Sequence, residues 1–229
     1  MNPQESLFRY DIGQYTITRI LTSRKFMQNC YVVVIPTYGQ IVFDPGDAPD
    51  AIADVIDRSS LPLKQLLLTH AHFDHIGAVS QLCQRYHVTC QLHHADLKLL
   101  KRAPIYSVRF GGKKVAEPQP VETFQELQLT LGDVQFMKTI LSPGHTEGSV
   151  SFVFDPFVFT GDTLLNRNIG RTDLPGANKE LLYQSVDHII TQLSDETTIF
   201  PGHGKPWKIT EARVWWSQFR QVEWAGMVN

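Results

Sequence analysis

The sequence predicts a layered α/β fold that forms one domain, residues 1–229. A chain of 229 residues has the size of one large domain, and no change of composition marks a linker. Short apolar segments typical of buried strands alternate with segments in which apolar residues recur every three or four positions. Strands and helices that alternate in this way pack as layers around a common core.

The first half of the chain predicts a β-meander, followed by alternating helices and strands. Alternating and β-branched residues predict the strands of the meander, at Tyr15–Ile20, Cys30–Ile35 and Gln40–Phe43. The elements that follow are predicted as a helix at Pro49–Arg58, a buried strand at Gln65–Leu68, a helix at Ile76–Tyr86 and a strand at Val88–Leu92.

The second half begins with a predicted long connection, Lys101–Pro120, because this stretch contains three prolines and two adjacent glycines. Strands are then predicted at Leu127–Leu131, Val134–Ile140, Val150–Phe154, Phe157–Thr160 and Thr197–Phe200. Leu164–Ala177 is predicted as a loop. Asn178 is a predicted N-cap for a helix that ends at Leu193, and a last helix is predicted at about residues 210–221.

Composition and charge exclude several classes of protein. The 21 Lys and Arg residues are balanced by 23 Asp and Glu residues, so the basic surface of a non-specific nucleic-acid binder is not expected. No apolar run approaches the ~20 residues of a membrane-spanning helix, and the first residues lack the pattern of a secretory signal. The three cysteines form no CxxC pair. We therefore expect a cytoplasmic protein that binds neither nucleic acid nor membranes, with free thiols.

Four side chains of metal-ligand type directly follow the buried strand at Gln65–Leu68. They are His70, His72, Asp74 and His75. Imidazole and carboxylate groups are ligands that divalent ions such as Zn²⁺ prefer. Residues two apart on an extended segment point the same way, so His70 and His72 are able to hold one ion together. A polar surface loop would explain one such histidine, but it explains four clustered ligand-type side chains poorly.

Three further candidates, His145, Asp162 and His203, each stand beside glycine where a strand passes into a loop. Each taken alone fits an ordinary turn, but together they supply the third ligand that two metal ions would need. The four remaining histidines lack such a setting and are expected to be structural: His87, His93, His94 and His188.

Five ordered segments of the chain resemble the metallo-β-lactamase superfamily. The stretch Thr69–Gly77 contains the pattern HxHxDH, and the other segments are Asp44–Gly46, Pro143–Thr146, Phe159–Thr163 and Pro201–Gly204. The resemblance implies an αββα sandwich whose two halves are related by pseudo-symmetry. That symmetry would account for a faint internal echo between residues 42–47 and 158–163. Within the superfamily, the segments at residues 161–164 and 169–176 resemble the short bacterial members of the glyoxalase II group, the hydroxyacylglutathione hydrolases.

The resemblance also implies a ligand set for two divalent ions. It assigns His70, His72 and His145 to one ion, assigns Asp74, His75 and His203 to the other, and makes Asp162 a bridging ligand. Zinc is the expected metal, although iron and manganese suit the same ligands. Many β-lactamases of the superfamily carry cysteine at the position of Asp162, and oxygen-reducing diiron members carry glutamate at the position of His72. Both activities are therefore disfavoured.

The expected reaction is hydrolysis of a small-molecule thioester such as S-lactoylglutathione. A metal-bound hydroxide, held with Asp74 and Asp162, would attack the carbonyl carbon. The thiolate that leaves has a pKa of about 8.5 and needs no proton donor. Only 26 residues follow His203, so no separate glutathione-binding helical domain is expected. Four basic residues of the long connection are candidates for a substrate carboxylate, although a solvated loop explains them equally well: Arg102, Arg109, Lys113 and Lys114.

Several other functions remain open from the sequence. A mononuclear iron persulfide dioxygenase shares the Gly170–Asp173 segment by resemblance, and a lactonase or broad thioesterase would use a similar site. A nuclease of the same superfamily is disfavoured by the charge balance. A non-enzymatic metal-binding protein is disfavoured because all seven ligands of the resemblance are present. The oligomeric state cannot be read from the sequence.

Overall fold

Two β-sheets face each other between layers of helices in the computed structural model, which describes residues 7–23, 25–110, 114–131 and 134–227. This arrangement is the αββα sandwich that the sequence predicted. One buried cluster lies between the sheets, and two others lie between each sheet and its own helices. Among the helices of the described residues, none combines the length and the apolar character needed to cross a bilayer.

The first sheet has seven strands in the order β1 to β7. The strands are β1 (Leu7–Ile12), β2 (Tyr15–Leu21), β3 (Asn29–Ile35), β4 (Gly39–Phe43), β5 (Leu63–Leu67), β6 (Cys90–His93) and β7 (Val121–Phe124). Strands β1 to β4 form the predicted antiparallel meander, which gains β1 at its edge. Strands β4 to β7 are parallel neighbours because helical connections join most of them.

The second sheet has six strands in the order β15-β14-β11-β10-β9-β8. They are β8 (Gln128–Leu131), β9 (Val134–Leu141), β10 (Val150–Phe154), β11 (Phe157–Gly161), β14 (Thr198–Pro201) and β15 (Trp207–Lys208). Strands β8 to β11 are antiparallel, and β14 lies parallel to β11. A small hairpin of β12 (Leu164–Leu165) and β13 (Asn168–Ile169) occupies part of the segment that the sequence predicted as a loop.

Helices cover the outer face of each sheet. On the first sheet lie α1 (Pro49–Ile56), α2 (Phe73–Ile76), α3 (Val79–Tyr86) and α4 (Leu97–Arg109), and on the second lie α5 (Lys179–Gln192) and α6 (Ile209–Met227). Strand β4 shows how the layers form, since all five of its residues are buried. Ile41 and Phe43 point into the core between the sheets, while Val42 packs toward the helices.

Local sequence signals explain where two of the helices begin. Pro49 stands at the start of α1, where its missing N–H leaves no helical hydrogen bond unmade, and Asp50 lies in the first turn. The side chain of Asn178 accepts a hydrogen bond from the backbone N–H of Leu181 at 3.0 Å, so the predicted N-cap of α5 is confirmed.

Three further predicted elements differ from the observed ones. The predicted connection from Lys101 is wrong because α4 continues through Pro104 to Arg109. The predicted helix from Ile76 to Tyr86 is interrupted, because α2 ends at Ile76 and α3 begins at Val79. At this break the backbone N–H of Ala78 donates to the carbonyl oxygen of Pro45 rather than to a helical partner. The last helix, predicted to end near residue 221, ends at Met227.

The internal echo has a structural counterpart in the two sheets. In each sheet the last strand of an antiparallel meander, β4 or β11, has a parallel neighbour, β5 or β14. Asp44 and Asp162 directly follow β4 and β11, and the segments that carry His70 and His203 follow β5 and β14. Polar side chains from both sheets therefore meet at one end of the sandwich.

Candidate metal centre

Two groups of possible metal-ligand atoms lie at this end of the sandwich. His70, His72 and His145 form one group, in which the donor atoms are all within 4.8 Å of one another. Asp74, His75 and His203 form a second group that meets the same criterion. The groups correspond to the two ligand sets that the family resemblance implies. A third combination, Asp44 with His70 and His75, is also within 4.8 Å, but the oxygens of Asp44 already accept hydrogen bonds from Thr69.

Asp162 lies between the two groups. One carboxylate oxygen, Oδ2, is 3.5 Å from Nε2 of His145 and 3.5 Å from Nε2 of His203. The other, Oδ1, is 3.6 Å from Nε2 of His75. The carboxylate, which directly follows β11 of the second sheet, thus contacts ligand atoms of both groups.

The donor atoms form a set that suits cations better than it suits hydrogen bonding. Nδ1 of His72 and Nε2 of His145 face each other at 2.8 Å, and Nε2 of His75 is 3.4 Å from Nε2 of His203. Nε2 of His70 and Oδ1 of Asp162 are buried without a hydrogen-bond partner. Because unpaired buried polar atoms are costly, a divalent ion that accepts these lone pairs fits the residues present.

Hydrogen bonds to the opposite nitrogen orient four of the imidazole rings. Nδ1 of His70 lies 3.0 Å from Oγ1 of Thr69, and Nδ1 of His75 lies 3.0 Å from the Asp44 carboxylate. The corresponding nitrogens of His145 and His203 lie 2.9 Å and 2.8 Å from the backbone carbonyl oxygens of residues 171 and 26. These contacts leave each Nε2 directed at the centre, as is usual for histidines that bind metals.

Burial keeps the first group of histidines neutral. It lowers the pKa of His72 to about 3, with the neighbouring His145 adding to the effect. The pKa of His70 also lies well below its usual value, because the ring is buried and stands near His75. The pKa of His145 is lowered by burial too. Neutral imidazoles have the free lone pairs that a metal ion requires.

The carboxylates shift the pKa of the second group in the other direction. Burial opposes a charge on His203, but Asp162 and Asp74 outweigh it and raise the pKa of His203 to about 10. Burial likewise opposes a charge on His75, but nearby carboxylates, above all that of Asp44, outweigh burial and raise the pKa of His75. Burial would raise the pKa values of Asp74 and Asp162, yet the histidines lower both. Both carboxylates are therefore ionised at neutral pH.

Two buried aspartates that support the site were not recognised in the sequence. Asp44, which matched the family's early motif without an assigned role, binds the backbone N–H and the hydroxyl of Thr69 at 2.7 Å each, as well as His75. The internal echo was the signal that could have identified it. Asp96 had no such signal, since its partners are distant in sequence.

Asp96 joins the two loops that carry the first ligand group. Its carboxylate accepts hydrogen bonds from the backbone N–H of Ala71 at 2.9 Å and of Gly148 at 2.7 Å, and from the hydroxyl of Thr146 at 2.9 Å. Burial raises its pKa to about 6, so the carboxylate is still mainly ionised at pH 7. Asp96 thereby fixes the loop of His70 and His72 against the loop of His145.

A cavity of about 350 Å³ opens beside the ligands. His72, Asp74, His145, Asp162 and His203 all contribute to its lining, and much of the remaining lining is aromatic or aliphatic. The basic residues considered for a substrate carboxylate lie elsewhere. Arg102 and Arg109 are exposed on α4 and Lys114 is exposed beyond it, none of the three lines this cavity, and Lys113 lies outside the described residues.

The histidines that were expected to be structural stay apart from the centre. His93 and His94 pack against each other, with ring centroids 4.5 Å apart. His87 ends α3 in a left-handed conformation, and His188 is on the exposed face of α5. Among the described residues, none of these four belongs to a ligand group.

Comparison with known proteins agrees with this geometry. The model of the metallo-β-lactamase superfamily matches residues 23–203. The chain belongs to the metallo-β-lactamase superfamily. Together with the hydrolases among its relatives described next, this match makes the chain a metal-dependent hydrolase with a single domain of that fold.

Two curated members of the superfamily are similar to this chain over most of its length. It is 33% identical over 189 residues to the hydroxyacylglutathione hydrolase GloC of Haemophilus influenzae, a match that covers 81% of this chain and 89% of that protein. It is 33% identical over 168 residues to the probable metallo-hydrolase YqgX of Bacillus subtilis, covering 72% and 79% respectively.

Solved structures show the same fold. The structure of TTHA1623 in a di-iron-bound form has a TM-score of 0.74 and 32% identity, covering 82% of this chain and 93% of that one. The structure of the B3 metallo-β-lactamase BLEG-1 has a TM-score of 0.77 and 32% identity, covering 85% and 94%. ETHE1 from Myxococcus xanthus, at 23% identity and a TM-score of 0.62, supports the fold alone.

Proposed function

We propose that this hydrolase cleaves a small-molecule thioester, with an S-acylglutathione such as S-lactoylglutathione as the first candidate substrate. In the proposal, His70, His72 and His145 hold one divalent ion, while Asp74, His75 and His203 hold a second. Asp162 binds both. Zinc is the first candidate metal, and the di-iron form of the similar protein TTHA1623 keeps iron under consideration.

The position of Asp162 is the observation that carries the two-ion proposal. Its oxygens are 3.5–3.6 Å from ring nitrogens of both ligand groups, and one oxygen is buried without a hydrogen-bond partner. When bound, divalent ions supply positive charge that polarises a carbonyl group and lowers the pKa of water to about 7. The ionised pair of Asp74 and Asp162 offsets that positive charge inside a partly buried site.

The protonation states favour a thioester over an amide. Asp74 and Asp162 both have lowered pKa values, so neither carries a proton for an amine leaving group at neutral pH. Histidines that bind metal are deprotonated at the ligating nitrogen and cannot donate from it. A thiolate, whose conjugate acid has a pKa of about 8.5, departs without such help. The similarity to GloC supports a glutathione thioester as the first substrate to test.

The decisive experiment pairs metal analysis with turnover by the same preparation. We expect about two ions per chain, hydrolysis of S-lactoylglutathione, loss of that activity with a chelator and recovery when the metal is restored. Parallel assays use glutathione persulfide with an oxygen electrode, a homoserine lactone and a β-lactam. One iron per chain with oxygen consumption on the persulfide would contradict the proposal, as would turnover of the lactone or β-lactam without thioester hydrolysis.

A further inference from the structure

Four aromatic side chains line the cavity beside the proposed ligands. They are Phe26 from the loop between β2 and β3, Phe73 from α2, Tyr106 from α4, and Phe110 at the end of α4. Phe26 and Phe73 meet edge to face with ring centroids 5.2 Å apart. Phe110 stands 6.4 Å from Phe73 and 6.0 Å from Tyr106. The four rings, here called the aromatic wall, form one continuous chain of contacts.

The aromatic wall differs from the aromatic core between the sheets. Core rings such as Phe43, Phe152 and Phe159 are almost completely buried, whereas all four rings of the wall are only partly buried. Apolar surface left open in a cleft is typical of a binding site rather than of packing. The wall and the side chains of His72, Asp74 and His203 line the same cavity, so a molecule bound against the rings lies beside the proposed reaction centre.

The rest of the lining continues the apolar character. Leu165, Ile169, Leu174 and Pro175 come from the β12–β13 hairpin and the segment after it. The volume of about 350 Å³ is at the lower end of the range for small-molecule sites. That space accepts one ring-sized group together with a thioester.

Apart from the proposed ions, the lining of the cavity offers little positive charge to an anionic group on the substrate. Among the described residues that line the cavity, Arg171 is the one Lys or Arg. Its guanidinium already donates to both carboxylate oxygens of Asp173, at 2.9 Å and 2.7 Å. A substrate carboxylate would therefore compete with an existing bidentate ion pair.

We propose, on the basis of the thioester hydrolysis proposed above, that the cavity selects a thioester with an aromatic or similarly bulky apolar group next to the reacting carbonyl or on its sulfur. The aromatic wall packs against that group and fixes the carbonyl beside the ligands. The small polar lactoyl group leaves the four rings exposed to water, so it gains less from the site. Phe26, Phe73, Tyr106 and Phe110 are thus the residues that determine specificity.

Matched thioesters test the preference directly. S-Phenylacetylglutathione and S-lactoylglutathione vary the acyl group with a constant thiol, while benzyl thioacetate and ethyl thioacetate vary the thiol side with a constant acyl group. Each kcat/KM is divided by the rate constant for alkaline hydrolysis of the same ester, which corrects for the intrinsic reactivity of the thioester. We expect kcat/KM to be at least about tenfold higher for the aromatic member of one pair. Equal corrected values within both pairs would overturn the inference.

Variants of the wall show whether the rings cause the preference. The measured quantity is kcat/KM for the aromatic substrate divided by kcat/KM for the small one. Phe110→Ala and Tyr106→Ala are each expected to lower this ratio by about fivefold or more. Ile105→Ala is the matched control, because Ile105 lies on the same helix, is 67% exposed and does not line the cavity. Its ratio is expected to equal that of the unmodified chain. Phe110→Tyr retains the ring and should retain the ratio. An unchanged ratio in both alanine variants contradicts the role of the wall.

A binding measurement separates the failure of this inference from the failure of the proposed function. S-Benzylglutathione and S-methylglutathione are thioethers that cannot be hydrolysed, and calorimetry with the metal-loaded protein gives their dissociation constants. Tighter binding of the benzyl compound, by about fivefold or more, supports the apolar preference independently of turnover. A protein that hydrolyses no thioester contradicts the proposed function. Equal binding of the two thioethers, together with equal turnover within the substrate pairs, contradicts the apolar preference alone.

Discussion

Asp162 is the side chain whose contacts connect the two candidate metal sites. It reaches His145 and His203 through Oδ2 and His75 through Oδ1. The carboxylate also sets the charge of the centre, because it raises the pKa of His203. Both effects depend on the negative charge, so a neutral side chain of the same shape tests them.

The variant Asp162→Asn is expected to lose metal and activity while the chain stays folded. The substitution removes the negative charge of a proposed ligand and replaces one of its two oxygens with an amide nitrogen. The affinity for at least one ion and kcat/KM on the thioester should therefore each fall by about a hundredfold or more. Metal analysis, turnover and circular dichroism provide the measurements. Asp54→Asn, on the exposed face of α1, is the control and should behave like the unmodified chain. Full activity in Asp162→Asn would remove Asp162 from the proposed centre.

His72 should make the metal-free protein sensitive to acid. Its pKa is about 3 in the folded chain and near 6.5 when unfolded, so the unfolded chain binds the proton first as the pH falls. The contribution of His72 to the free energy of unfolding is at its full value above pH 6.5 and decreases as the pH falls from 6.5 toward 3. Between pH 7 and pH 5 the loss is about 1–2 kcal/mol.

Urea unfolding of chelator-treated protein at pH 7 and pH 5 measures this loss. His72→Gln cannot take up the proton, so it should lose about 1–2 kcal/mol less than the unmodified chain over that interval. His188→Gln, at an exposed histidine on α5 outside both ligand groups, is the control substitution. The expectation fails if His72→Gln and the unmodified chain show the same change between the two pH values.

At the scale of elements, the start of α5 positions the loop between β9 and β10 that carries His145. The backbone N–H of Asn178, the N-cap of α5, donates to the carbonyl oxygen of Gly144 at 2.7 Å. Gly144 has a φ of +127° and packs so closely on α5 that an added Cβ would lie 2.1 Å from the backbone nitrogen of Leu182. The start of the helix and the loop of the ligand therefore fit together only with glycine at this position.

Gly144→Ala is expected to destabilise the chain by about 3 kcal/mol or more, because backbone atoms of α5 must move. Gly13→Ala is the matched control. Gly13 also has a positive φ, +57°, but no atom lies within 4 Å of an added Cβ, so only the conformational cost of about 1–2 kcal/mol is expected. Urea unfolding measures both. Similar losses in the two variants would show that the contact with Leu182 is unimportant.

Helix α4 shows why some elements escaped prediction. Proline usually ends or kinks a helix, and the Pro104 region together with its nearby glycines predicted a connection. The structure continues the helix because Leu100, Ala103 and Ser107 lie at helical spacing and are buried on one face. Burial of that face outweighs the hydrogen bond that Pro104 cannot make. The aromatic wall depends on this helix, since Tyr106 and Phe110 are at its end.

For the whole molecule, the ligands add to hydrogen bonds that already join the two sheets at this end, such as those that Asn29 and Tyr31 donate to the carbonyl oxygen of Pro201. His70 follows a strand of the first sheet, and His203 follows a strand of the second. Each proposed ion has ligands that follow strands of both sheets, so it joins the sheets and binds the native arrangement of the chain. Such binding stabilises the fold by about 4 kcal/mol when the free ion is at 1,000 times its dissociation constant.

Calorimetric melting with and without metal tests this linkage. Adding Zn²⁺ to chelator-treated protein should raise Tm by about 10 °C, since a chain of this size gains roughly 2–4 °C per kcal/mol. Ca²⁺ is the control ion, because it prefers oxygen ligands and should leave Tm nearly unchanged. A Tm that does not respond to Zn²⁺ would contradict a centre built from both sheets.

The sequence by itself determined the features that depend on neighbouring residues. The pattern from His70 to His75 indicates a metal site because side chains a few positions apart have a fixed relation at a strand end. Periodicity predicted most strands and the start of α5 for the same reason. Glycine at predicted strand ends also marked His145, Asp162 and His203 as candidates, and the family resemblance then implied their roles as ligands and the αββα sandwich.

Only the tertiary structure decided which distant residues meet. Asp44 and Asp96 act on loops that lie 25 to 52 positions away in the chain, and the aromatic wall combines residues from positions 26 to 110. These contacts depend on the register of two sheets and on the packing of helices over them. No local spacing encodes that register, because it results from burying the apolar faces of the whole chain at once.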